Sequence, residues 1–309
     1  MSLLAGLPPK LRRMSVPTPH AAALAEIPVR EAEVTVLGSR TRYWEYGPQD
    51  AATTILLVHG YRGDHHGLEP VIALLPGIRF VSPDLPGFGA STPLTDAPHS
   101  IAGYQRWMTA FAQATQLPAD VIVFGHSFGS MITSHAVADG FPARALILLN
   151  PISADPRTAA GVGITRLTRA YYGLARRLPT AIGRRLLGNW LVVQFMSMSL
   201  VTTPNKNLRN WVHEEHHRYF NGFSDPKTVA EAFDASLSTE VGKAAARVTI
   251  PVLMIAGEVD RIAPLSGQQA TVGLFPDARL VVLPSVGHLV HYEAAQGAAD
   301  AIRTFVDAL

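Results

Sequence analysis

No cysteine occurs in the 309 residues. That excludes disulfides, thiol nucleophiles and Cys-ligated zinc together, and it leaves a cytoplasmic location as the default expectation. Charge is scarce, at 16% of residues, and nearly balanced at a formal net +2. So small an imbalance gives no overall footprint for nucleic acid. No run reaches the roughly 18 apolar residues of a membrane-spanning helix. The nearest, Leu186 to Val201, is interrupted by Asn189 and Gln194 and reads as a buried helix. The N-terminus, MSLLAGLPPKLRR, has its basic cluster after a short apolar run, the reverse of a secretory signal. Residues 1–30 therefore read as an N-terminal arm, with Met14 a second candidate start.

Acidic residues are missing from one long stretch. Between Pro156 and His213 stand nine Lys or Arg (Arg157, Arg166, Arg169, Arg176, Arg177, Arg184, Arg185, Lys206, Arg209) and no Asp or Glu. Taking nine from the total of +2 leaves about −7 for the rest of the chain. The same stretch, from about Pro151 to Thr249, has few strand-like runs and reads as an inserted helical module.

What is present is an apolar fraction of 48%, ample for a core, in an alternating pattern. Val34–Val36 and Thr41–Tyr46 predict two strands joined by a turn. Thr54–Val58, Arg79–Ser82, Val121–Phe124, Ala145–Leu149, Pro251–Ala256 and Leu280–Leu283 predict further strands. Gly67–Leu75, Ser100–Gln116, Phe128–Asp139 and Glu293–Leu309 have helical spacing, with Ser100 a candidate N-cap. Strands alternating with helices imply a mostly parallel sheet covered on both faces. The runs TILLV, VIVF and ALILL suit strands buried on both sides.

The chemistry starts at VIVFGHSFGSM, Val121 to Met131. A serine hydroxyl needs exposure and a base before it attacks a carbonyl. A sharp strand–turn–helix exposes Ser127, and Gly125 and Gly129 permit the turn. With 25 glycines in the chain, G-x-S-x-G arises by chance in roughly one such sequence in ten, so its flanks must carry it. For the base, His288 follows the strand-like RLVVLP, and His291 is its neighbour and competitor. For the acid that orients the base, Asp260 ends MIAGEVD, with Glu258 as the near alternative. Asn150 at the end of ALILLN cannot carry the charge, and Asp84 in SPDLPGFG reads as a loop cap. HGYRG after TILLV offers the N–H of Tyr61, which with the N–H of Phe128 would hold a developing oxyanion.

Taken together, LLVHGYRGD, SPDLPGFGAST, VIVFGHSFGSM, IAGEVDRIAP and VGHLVHYE resemble the α/β-hydrolase fold superfamily, in that family's order. The resemblance covers about Glu31–Pro151 and Val248–Leu309. It implies an α/β fold with a mostly parallel eight-stranded sheet, one antiparallel strand near its start, and an inserted helical cap. Residues 31–150 and 246–309 would form the core and 151–245 the cap. It implies that Ser127, Asp260 and His288 form the triad. Relatives that dehalogenate or open epoxides carry Asp at the elbow, so Ser127 points to acyl chemistry.

The expected activity is carboxylic-ester hydrolysis of a small apolar acyl substrate through an acyl-enzyme, with no cofactor and no metal implied. The alternatives are acyl transfer or C–C bond hydrolysis on the same triad, or a non-catalytic ligand-binding protein on the same fold. Tyr171, Tyr172, Trp190, Phe195, Met196 and Met198 would line an acyl pocket or the cap's own core. The cap arginines would meet anionic lipid, an anionic substrate or solvent. His213-Glu214-Glu215-His216-His217 matches the zinc-protease pattern H-E-x-x-H, but no third ligand stands out downstream, and a solvated helix face is the expectation.

Overall fold

A computed structural model describes residues 18–153 and 162–309. The first part of the arm, Met14 and Arg157 lie outside the described residues. Eight strands form one sheet: β1 (Val29–Val36), β2 (Ser39–Tyr46), β3 (Thr54–Val58), β4 (Arg79–Pro83), β5 (Ile122–His126), β6 (Ala145–Leu149), β7 (Val252–Gly257) and β8 (Ala278–Leu283). Their spatial order is β1-β2-β4-β3-β5-β6-β7-β8. β2 runs antiparallel to both neighbours, and every other pairing is parallel.

Every residue of β3, β5, β6 and β7 is buried. Alternation sorts their side chains into two cores, as a two-residue period requires. Leu56, Val58, Val123, Leu146, Leu148 and Met254 pack on one side with the helices Ile101–Ala114 and Phe128–Ala138. Ile55, Leu57, Phe124, Ile147, Leu253 and Ile255 pack on the other with Glu69–Ile72 and Ala295–Val306. Ser100 caps the first of these helices by accepting from Gly103 N at 3.1 Å.

Parallel strands end on one edge, so the segments that follow β3, β5, β6, β7 and β8 meet there. Between β6 and β7 come the helices Val162–Ala175, Thr180–Leu187, Trp190–Leu200, Lys206–Tyr219, Pro226–Ser236 and Gly242–Ala245. No helix among the described residues is long and apolar enough to cross a membrane.

Two expectations change. The arm reading stops short of residue 30, because Ala21–Ala25 is helical, Leu24 and Ile27 pack on the second core, and β1 already starts at Val29. β1 is an edge strand whose first half, VREAE, carries Arg30, Glu31 and Glu33, so it has no apolar run to announce it. Leu186 to Val201 is not one buried helix. The chain breaks at Gly188, Asn189 caps a new helix by accepting from Leu191 N at 2.9 Å, and only Val193 and Ser197 of Trp190–Leu200 are buried. That helix packs through a narrow stripe on Lys206–Tyr219 and leaves the rest outward. The helix Leu265–Val272 has no counterpart in the sequence pattern, because LSGQQATV carries almost no apolar periodicity.

Candidate active site

The turn from β5 into the helix Phe128–Ala138 holds Ser127 at φ 51° and ψ −115°, a left-handed conformation rare for a side-chain-bearing residue. Both flanking glycines are needed for close approach. A Cβ on Gly129 would lie 2.1 Å from Val58 O, and one on Gly125 would lie 2.3 Å from Thr133 Oγ1. The strained turn is thus clamped against the end of β3 from one side and its own helix from the other.

Ser127 Oγ lies 2.8 Å from His288 Nε2. On the far side of the ring, His288 Nδ1 lies 2.8 Å from Asp260 Oδ2. A nitrogen facing a carboxylate donates, which leaves Nε2 as an acceptor for the serine proton. Asp260 Oδ1 accepts from Ile262 N at 2.8 Å and Ala263 N at 2.9 Å. Burial pushes the Asp260 carboxyl up, but the charge and hydrogen bond of His288 and these two N–H groups outweigh it and hold the carboxyl below its usual range.

The competitors resolve on geometry. His291 is buried with its ring 4.2 Å from that of His126, and no hydrogen bond joins it to Ser127. Glu258 accepts from Ser285 N at 2.8 Å instead of facing His288. Asp84 accepts from His65 Nδ1 at 2.8 Å and Ala90 N at 2.7 Å, tying loops together.

Asn150 cannot carry the charge of the acid, yet it belongs to the cluster. Its Nδ2 donates to Asp260 Oδ2 at 3.0 Å and to Gly287 O at 3.2 Å, from a backbone at φ 44°. It therefore links the acid to the loop that carries His288. Its strand-end position on the site edge was the available signal.

Gly60 packs against the elbow, since a Cβ there would lie 3.0 Å from His126 Nδ1 and 3.3 Å from Ser127 Cβ. Tyr61 follows it, with its ring edge-on to Phe128 at 6.4 Å. Phe128 opens its helix, so its N–H has no intrahelical acceptor and the dipole's positive end lies at Ser127.

A cavity of about 80 Å³ adjoins Ser127 and His288, lined on its apolar side by Leu68, Leu200, Phe220, Leu289 and Tyr292. The cap residues expected there are elsewhere. Tyr172 is buried against Phe233, and the Tyr171 hydroxyl donates to Leu186 O at 2.8 Å. Met196 Sδ lies 3.6 Å from the Arg62 guanidinium, while Trp190, Phe195 and Met198 face outward. His126 and His216 also line the cavity; burial, then neighbouring imidazoles, pulls each down to about 3, so both are neutral at neutral pH.

The H-E-x-x-H stretch is occupied in fastening two helices. His213 Nδ1 and His216 Nδ1 each lie 2.6 Å from Ser197 Oγ, and His217 Nε2 lies 2.8 Å from Gln194 Oε1. It is therefore not the solvated face expected, since His216 is buried. The one His and carboxylate grouping tight enough to share a cation, among the described residues, is Asp64, His65 and His66. Its atoms are engaged with Asp84 and with one another.

Residues 53–295 match the model of the alpha/beta hydrolase fold family. The chain is 29% identical over 266 residues to a pimeloyl-[acyl-carrier protein] methyl ester esterase of Xanthomonas campestris pv. campestris, covering 82% of this chain and 95% of that one. It is 24% identical over 270 residues to Lipase 1 of Psychrobacter immobilis, covering 87% and 81%. A thermophilic esterase from Thermogutta terrifontis superposes with a TM-score of 0.72 at 19% identity, over 90% of this chain and 98% of that one. With the model match spanning well over half its length, the chain belongs to the alpha/beta hydrolase fold family.

Proposed function

We propose that this chain is a carboxylic-ester hydrolase acting on small apolar acyl esters, with Ser127 as nucleophile, His288 as base and Asp260 as the acid that orients it. The observation that carries the reading is the unbroken contact series from Ser127 Oγ through both ring nitrogens of His288 to Asp260, each step 2.8 Å. The named activities of the methyl ester esterase and lipase relatives support the ester class.

In this reading Ser127 Oγ bonds to the ester carbonyl carbon as its proton passes to His288 Nε2. The carbonyl oxygen becomes an oxyanion, held by the N–H groups of Tyr61 and Phe128. Collapse expels the alcohol, which takes the proton from His288. Water then attacks the acyl-enzyme by the same route and releases the acid. Asp260, held ionised, stabilises the imidazolium formed in both halves. Residues 29–150 and 246–309 act as the catalytic core, and 151–245 act as a cap that contributes Leu200, His216 and Phe220 to the cavity.

A series of p-nitrophenyl esters from acetyl to decanoyl tests this, using wild type, Ser127→Ala and His288→Ala. Steady turnover falls about 10⁴-fold or more in either variant on this account. Full turnover by a folded Ser127→Ala protein overturns it. An added alcohol that outcompetes water for the acyl group would reassign the reaction to acyl transfer.

A further inference from the structure

The segment Val162–Leu200 carries an apolar surface that the proposed chemistry does not use. Twelve large apolar side chains are exposed among the described residues, and seven of them lie between Leu167 and Met198. On the helix Trp190–Leu200, Leu191 is 70% exposed, Phe195 75% and Met198 63%. Their spacing of four and then three residues puts them on one face. The opposite face is fixed inward, with Val193 buried and Ser197 Oγ 2.6 Å from both His213 Nδ1 and His216 Nδ1. The outward face therefore cannot turn in without breaking those bonds. The preceding helices add Leu167, Leu174 and Ile182 to the exposed apolar set.

Charge says what covers this surface. Arg166 and Arg185 on these helices, and Arg176 and Arg177 in the turn between them, are exposed, with no ion-pair partner among the described residues. The sequence from 162 to 205 contains no carboxylate side chain. A second copy of the chain is a poor occupant, because a two-fold contact would set arginines against arginines. Protruding Leu, Phe and Met side chains with interleaved arginines suit a fluid, anionic layer that needs no matching shape.

We propose that the outer face of Val162–Leu200 docks on an anionic lipid bilayer, with Leu191, Phe195 and Met198 entering the acyl region and the arginines meeting the headgroup phosphates. The same helix ends at Leu200, which lines the cavity beside Ser127. Docking would hold that cavity close to the lipid surface. The proposal goes beyond ester hydrolysis and can stand or fall without it.

The test is co-sedimentation of the full chain, as Ser127→Ala so that no lipid is turned over, with vesicles of phosphatidylcholine alone or of equal phosphatidylcholine and phosphatidylglycerol. Binding to the anionic vesicles at least tenfold tighter, weakened by salt, is expected. Leu191→Asp with Phe195→Asp is expected to lower it at least tenfold, and Arg176→Gln with Arg177→Gln and Arg185→Gln to abolish the preference for anionic lipid. The same substitutions in the Ser127 background are checked for folding by their thermal melts and for unchanged turnover of a soluble acetyl ester. No binding to anionic vesicles at low salt overturns the proposal, as does binding that neither set reduces. A dimer that Leu191→Asp with Phe195→Asp dissociates, without vesicle binding, would give the face to a second copy and also overturn it.

Discussion

Arg62 offers the sharpest energetic prediction. It follows Tyr61 on the loop after β3, at φ 59°, and only 1% of it is exposed. No carboxylate faces its guanidinium among the described residues. Its Nε and Nη2 donate to Phe220 O at 3.1 and 2.9 Å, and Nη2 also donates to Leu187 O at 3.1 Å and Asn221 Oδ1 at 3.3 Å. The ring of Phe223 lies 5.5 Å from its Cζ. A core loop is thus tied to two cap helix ends through one fork. Arg62→Met keeps the stem and deletes the fork. Leu187 O and Phe220 O then lose buried donors, at about 1–3 kcal/mol each. Relief from burying a cation offsets part of that, leaving a net loss of about 3 kcal/mol. At roughly 2 °C per kcal/mol for a chain of this size, the melting temperature falls by about 6 °C. Trypsin reads the local effect directly, because Arg184 and Arg185 lie in the last turn of the released helix Thr180–Leu187. Faster cleavage there, with a fall in kcat from a loosened Tyr61, is expected. A melt within about 1 °C of wild type together with unchanged trypsin cleavage would refute the reasoning.

Other consequences follow from the same geometry. Asn150→Leu removes a donor to a carboxylate, worth about 1.5–3 kcal/mol, so kcat should fall about 10- to 100-fold with little change in KM; a wild-type kcat would remove Asn150 from the site. Gly129→Ala forces a Cβ to 2.1 Å from Val58 O, a backbone atom that cannot yield, and soluble folded protein with wild-type activity would contradict the clamp described for the elbow. His126 and His216, lowered to about 3, stay neutral in the fold while the unfolded chain protonates them. The unfolded state then binds more protons below its histidine value of about 6.5. Stability should therefore fall with pH from there by about 1.4 kcal/mol per unit for each histidine. The depressed Asp260 adds its loss later, only as pH falls below the ordinary Asp value and through its own lower one. Urea midpoints at pH 7 and 5 check this, and His216→Gln should lessen the drop; an equal drop in wild type and variant would refute the assignment.

Much of this was legible in advance where local pattern and burial agree. TILLV, VIVF and ALILL read as doubly buried strands because both of their faces are apolar, and both are covered. Ser127, Asp260 and His288 each stand just past a strand-like run in the sequence, and the sheet's parallel order brings those strand ends together. What failed depends on partners distant in sequence. Asn150 looked inert because an amide carries no charge, and its role appears only when Asp260 arrives from 110 residues away. Arg62 carries no local signal of burial, because the carbonyls that hold it, Leu187 O and Phe220 O, come from the cap more than 120 residues on. Phe195 and Met198 read as pocket or core because an apolar residue on a helix usually faces inward, yet among the described residues both are exposed. The histidines at 213–217 look like a metal motif by spacing alone, but Ser197 and Gln194 take one ring nitrogen of each.

The central claim is an activated Ser127, and a fluorophosphonate probe tests it most directly. Intact mass of the labelled wild type should show a single adduct, peptide mapping should place it on Ser127, and folded Ser127→Ala should show none. An unlabelled but folded wild type, or an adduct that survives in Ser127→Ala, would contradict the account.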